Sequence, residues 1–232
     1  MINPSKIYKM RIVFCWADGQ AEHPHALRGI KKMVLDSGLP YEPSKFVQSL
    51  PRLAYGPAPA KGQRAEREYL DIYLQKRCSE DEVRHALLAS APEGFTMLQV
   101  ARVPYPLPSV QNLAAAVKYR VKGNFAAFNS SGRKVEEWAA AGEIKVSLRA
   151  ENGMRCQRNL ASGLLQAVTL GPDEVSLLLG PVQGQWVLPQ WFIAAWLGIE
   201  IPAQDETVTV GDLVFIREGF YWRDSQGEFH LI

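Results

Sequence analysis

Apolar and polar positions alternate along Ile7 to Phe14, with Tyr8, Met10, Ile12 and Phe14 on one side and Lys9, Arg11 and Val13 on the other. A period of two predicts a half-buried strand whose basic side faces away from the core. After Pro24 the period lengthens: Leu27, Ile30, Met33 and Val34 form an apolar stripe, Arg28, Lys31 and Lys32 are left opposite it, and Gly38 reads as a helix stop. Pro51 to Tyr55 has the look of a short strand, and Pro57, Pro59 and Gly62 mark a long turn before the alternating stretch Glu68 to Leu74. Ser79 followed by Glu82 is a capping box, opening a helix to about Ser90 that buries Val83, Ala86 and Leu87. Gly94 and Phe95 lead into a last strand, Thr96 to Arg102. The order β-α-β-β-α-β predicts a ferredoxin-like module with its first and third strands at the sheet centre.

Pro104, Pro106 and Pro108 then remove three amide donors in quick succession, so Val103 to Pro108 is neither helix nor central strand and marks the expected boundary. Two modules follow from it, residues 1–103 and 109–232. In the second, a short helix from Ser109 leads to a strand, Val117 to Lys122, with Lys118, Arg120 and Lys122 on one side. Arg133 to Ala141 predicts a helix stopped by Gly142, and Ile144 to Arg149, Leu164 to Leu170 and Val175 to Leu179 predict strands. A helix over Pro189 to Leu197, ending at Gly198, precedes a closing hairpin of Asp212 to Arg217 and Phe220 to Ile232, turned at Asp224 to Gly227. The expected fold class is therefore α+β, two ferredoxin-like modules in tandem with the second more irregular.

Composition narrows the functional classes. At 232 residues either module can bury a core without staples, and Cys15, Cys78 and Cys156 are too few and too scattered for a disulfide framework or a cysteine-rich metal site. The start has no signal-like apolar run, and the longest apolar stretch, Trp186 to Ile199, is too short to span a bilayer. The expectation is a cytoplasmic protein with no membrane contact. The net charge of +2 divides unevenly: Met1 to Lys122 has 18 Lys and Arg against 11 Asp and Glu, a net +7, and Gly123 to Ile232 has 8 against 13, a net −5. A basic N-terminal module and an acidic C-terminal one either present a polyanion-facing surface or attract each other across an interface.

The first half also carries a family's motifs. Tyr8 to Phe14 matches an opening strand, His23 and Leu27 a Ser-His-Leu-Asp-Leu element, and Gly38-Leu39-Pro40 a helix stop. Glu68-Tyr69-Leu70-Asp71-Ile72 matches a Glu-Tyr-Leu-Asp strand, Pro92 to Phe95 a Pro-Glu-Gly turn, and Ala114 to Val121 the stretch that opens the second half. Over Ile7 to Val121 the chain thus resembles the radical SAM-linked proteins, a bacterial domain of unknown function (number 2344) found alone or behind cobalamin-binding radical SAM domains. It departs at His25, where the family has Asp, and at Lys45 to Pro51, where the family has a Gly-Phe-Asn-Pro-His-Pro loop. The resemblance implies a radical SAM protein as partner and a place in RNA processing or translation.

A radical SAM cluster needs three nearby cysteine thiolates, which this chain lacks, and no Walker-type, dinucleotide or local nucleophile motif occurs. No cofactor and no metal are expected, and the oligomeric state is not set by the sequence. Three surfaces remain. Glu22-His23-Pro24-His25, at the predicted start of the first helix, makes His23 and His25 candidates for general-base chemistry on RNA, for a metal that lacks an obvious third and fourth ligand, or for a plain helix start with His23 as N-cap. If the first and third strands are adjacent, Lys9, Arg11, Tyr69 and Tyr73 share one open sheet face, cations beside rings on which bases stack, with Arg28, Lys31 and Lys32 extending a phosphate track. Asp71 on that face argues against RNA, as does the tendency of tandem modules to bury one sheet on another. Finally, Trp186 to Leu197 is apolar nearly all round, so Trp191 and Trp196 belong to a module core or to a docked partner. The functional expectation is a non-catalytic accessory protein binding RNA or a radical SAM partner; the alternatives are an RNA-cleaving or RNA-modifying enzyme using His23 or His25, and a pure protein-interaction module.

Overall fold

A computed structural model describes residues 7–17, 23–60, 63–127, 133–142, 144–149, 154–202 and 210–232; the side chains of residues 23–26, 127, 148, 149, 156 and 202 lie outside the described residues. The fold is mixed α+β, and the described residues form three sheets in two compact units. The first unit comprises residues 1–58 and 65–113, the second residues 59–64 and 114–232. The division falls after Leu113, so the proline-rich segment belongs to the first unit.

In the first unit the chain runs through β1 (Tyr8–Trp16), α1 (His23–Asp36) and β2 (Leu53–Tyr55). Beyond β3 (Arg64–Ala65), which pairs elsewhere, it continues through β4 (Glu68–Leu74), α2 (Glu80–Leu88), β5 (Phe95–Val103) and α3 (Val110–Leu113). The sheet order β2-β4-β1-β5 sets β1 and β4 at the centre. All its pairings are antiparallel, with Lys9 opposite Tyr73, Arg11 opposite Asp71 and Val13 opposite Tyr69. One face packs Met10, Ile12, Phe14, Leu70, Ile72 and Val100 against Ile30, Met33 and Val34 of α1 and Val83 and Leu87 of α2. Burial of each such side chain stabilises by about 1.5–3 kcal/mol. The Ser79 capping box forms as expected, the Ser79 hydroxyl accepting from Glu82 N and the Glu82 carboxylate accepting from Ser79 N at 2.6 Å. Gly38, at φ 69, takes the left-handed turn that follows α1.

The second unit does not repeat this order. It contains β6 (Ala116–Lys122), α4 (Val135–Ala140), β7 (Lys145–Arg149), β8 (Arg155–Asn159), β9 (Leu164–Gly171), β10 (Glu174–Leu179), α5 (Pro189–Leu197), β11 (Ile201–Pro202), β12 (Val214–Arg223) and β13 (Phe229–Leu231). One sheet runs β13-β12-β6-β10-β9, with β3 also on β12, and a small one runs β11-β7-β8. The sequence pattern misses β8 because Arg155-Cys156-Gln157-Arg158-Asn159 has almost no apolar alternation; pairing with β7 makes it a strand. Where two strands are expected around Glu218, β12 is continuous, with the register shifting between Arg217 and Gly219.

Helix α5 lies in the core of its unit. Phe192, Ile193, Ala194 and Leu197 are buried, Trp196 Nε1 donates to the Arg133 carbonyl at 3.0 Å, and the Arg158 guanidinium lies 5.2 Å from the Trp191 ring centre. Buried Gln190 accepts from Gln63 Nε2 at 3.0 Å, tying Gln63, just before β3, to the helix.

The charge division reads differently once the units are known. The first has 13 Lys and Arg against 11 Asp and Glu, a net +2; the second has 13 against 13, a net of zero. Five cations counted with the first half, Lys61, Arg64, Lys118, Arg120 and Lys122, belong to the second unit. The three on β6 meet carboxylates there: Lys118 and Arg120 each lie 3.1 Å from Glu218, and Lys122 lies 3.7 Å from Glu174.

Candidate functional site

Adjacency of β1 and β4 brings Lys9, Arg11, Tyr69 and Tyr73 to one sheet face, as the alternation of both strands implies, but that face is not open. Lys9 is 1 % exposed, Arg11 6 %, Tyr69 2 %, Tyr73 8 % and Asp71 0 %. The cover includes the segment after β5. Lys9 Nζ donates to the Leu107 carbonyl, and Arg11 Nη2 donates to the Pro108 carbonyl at 3.1 Å. Val110 of α3 is buried beside Gly56 and packs toward β2 and β4. Proline suits this role, since a strap that makes no ladder needs no amide donors.

Beneath the strap the charges pair through geometry set by register. Arg11 opposite Asp71 makes a bidentate contact, Nε to Oδ1 at 2.8 Å and Nη2 to Oδ2 at 3.0 Å, and Lys9 Nζ lies 3.8 Å from Oδ2. Two buried cations thus share one buried carboxylate. Burial lowers the pKa of Lys9 from its ordinary value, with Asp71 opposing the shift and Arg11 and Arg52 adding to it. The Tyr73 hydroxyl is pushed up, by burial first and then by Asp71. At the rim, the Arg52 guanidinium sits 4.1 Å from the Tyr73 ring centre and donates from Nη1 to the Tyr105 hydroxyl at 3.3 Å, while the Tyr73 and Tyr105 rings meet edge-on at 6.2 Å. The expectation of an accessible platform on this face is therefore corrected: its polar groups hold down their own strap.

The remaining candidates divide clearly. Arg28, Lys31 and Lys32 are exposed on α1, where positions i, i+3 and i+4 share a face, and Lys32 pairs with Asp36. His23 and His25 stand in the first turn of α1, with side chains outside the described residues; Glu22 lies outside them altogether. Trp191 and Trp196 are partly buried and held within their own unit, which favours the core reading of α5 over a docking helix. Among the described residues no group of three or more His, Cys, Asp or Glu side chains is placed to hold a metal, and no helix is long and apolar enough to cross a membrane.

One exposed group escaped the sequence reading. Phe46 is 97 % exposed and Val47 47 %, on a loop that the sequence marked only as a departure from the family pattern. An aromatic beside a single valine in an otherwise polar stretch has no periodic signature, so the pattern could not separate an exposed ring from a buried one.

No curated protein matches the chain. The family model for an uncharacterized protein conserved in bacteria matches residues 23–187, starting later than the motif resemblance and running well into the second unit. Spanning most of the chain, that match shows that this protein belongs to the bacterial domain-of-unknown-function family 2344.

Proposed function

We propose that the protein is a non-catalytic accessory protein that binds RNA through the outer surface of its first unit, with α1 supplying the phosphate contacts. The observation that carries this reading is the exposure of Arg28, Lys31 and Lys32 along one helix face. With the sheet face occupied by the strap, α1 offers three exposed cations on one helix face. The first unit's net charge of only +2 makes the attraction local rather than a long-range field.

Titration with a mixed-sequence RNA of some thirty nucleotides over a series of salt concentrations tests the proposal. Affinity is expected to fall linearly on a logarithmic salt scale, and the double variant R28A/K31A to lower the slope by about one unit per cation removed. Salt-independent binding, or none, removes the reading. Because His23 and His25 open the same helix, the competing cleavage reading is checked on the same complex: metal-free scission lost in His23→Ala would replace the accessory role with an enzymatic one.

A further inference from the structure

We infer that Phe46 is a stacking post for unpaired bases, so that the RNA bound by the first unit is single-stranded; this rests on the RNA reading above and specifies its ligand. The loop that bears Phe46 is built rather than loose. Pro43 and Pro51 pair as an isolated bridge at its base, Ser44 N donates to the Leu50 carbonyl at 2.8 Å, Leu50 N to the Val47 carbonyl at 3.0 Å, and Phe46 N to Ser44 Oγ at 3.3 Å. A closed loop of this kind holds the ring in water at 97 % exposure, where its apolar surface forgoes the gain of burial.

The charges at this end of the sheet select the partner. Lys45 precedes it and is exposed. Tyr41 bridges Leu74 and Gln75 N donates to the Pro40 carbonyl at 2.8 Å, which brings the exposed Lys76 and Arg77 to the same end of the sheet. An exposed ring at an end of the sheet that also carries the exposed cations Lys45, Lys76 and Arg77 matches a ligand that offers flat rings along a chain of negative charges, which is single-stranded nucleic acid. An A-form duplex keeps its bases stacked on each other and offers no ring to Phe46. A protein pocket is the competing occupant, and the experiment separates it.

Full-length protein is titrated with a single-stranded oligouridylate, a single-stranded oligoadenylate and a blunt RNA duplex of equal charge. The expectation is that Phe46→Ala weakens single-strand binding about ten-fold and leaves the duplex unchanged, while Phe46→Trp keeps the affinity and adds an indole signal quenched by the oligonucleotide. Since Phe46 touches little of its own protein, Phe46→Ala should unfold at the same urea concentration as the parent. Wild-type single-strand affinity retained in Phe46→Ala overturns this inference and leaves the α1 reading standing, returning Phe46 to a protein contact. If the parent protein binds none of the three RNAs, both readings fall.

Discussion

The two faces of the first sheet bury the same strands by different physics. On one, Met10, Ile12 and Phe14 lie in hydrocarbon supplied by α1 and α2. On the other, Lys9 and Arg11 lie equally deep but in an ionic network, one carboxylate between two cations, closed by the backbone carbonyls of Leu107 and Pro108. The apolar face gains from each methylene removed from water and tolerates modest changes of shape. The polar face gains little net energy, because desolvating the charges consumes most of their attraction, and it tolerates the loss of a partner badly. What it fixes is geometry: the carbonyls of Leu107 and Pro108 are the ones that meet Lys9 and Arg11.

That contrast can be broken experimentally. Asp71→Ala leaves two cations buried with no counter-charge, and urea unfolding should report a loss of about 3–5 kcal/mol; a loss below 1 would mean that the strap opens and hydrates the site. Ile12→Val, across the sheet, removes one methylene from a packed site and should cost about 1 kcal/mol by the same measurement. The combined replacement Lys9→Met, Arg11→Met, Asp71→Leu removes every charge of the trio and is expected to lose less stability than Asp71→Ala alone, the remaining cost coming from the Leu107 and Pro108 carbonyls left without donors. A triple variant as unstable as Asp71→Ala would show that the ionic network itself stabilises the fold. The smallest effect concerns pH. Burial lowers the Lys9 pKa below its ordinary 10.5, so between the folded value and 10.5 the unfolded chain binds more protons and stability contributed by this site rises with pH. Tyr73, with its pKa raised, acts oppositely, losing stability above pH 10. Urea midpoints of the parent and Lys9→Met from pH 7.5 to 10 should therefore diverge, the parent gaining on the variant; parallel profiles would contradict a desolvated amine.

Legibility varied with the range of the cause. β4, α2 with its capping box, and the α5 to Gly198 ending lay close to the surface of the sequence, because alternation, caps and left-handed glycines are local signals. The meeting of Lys9, Arg11, Tyr69 and Tyr73 was legible too, since strand order and a period of two suffice. Their burial was not. The carbonyls that cover Lys9 and Arg11 belong to residues nearly one hundred positions later. β8 stayed hidden for the same reason, its pairing with β7 supplying what its polar sequence does not.

Charge shows the limit most plainly. Counted along the chain, the halves oppose each other; assigned by fold, Lys118, Arg120 and Lys122 cross to the second unit and face Glu174 and Glu218 on neighbouring strands. By itself, then, the sequence determined most of the long elements, the family and which side chains share a strand face. Only the tertiary structure decided which faces are closed, whose charges cancel and that Phe46 stands in water, because accessibility is a property of what the rest of the chain lays over a residue, and no local pattern encodes it.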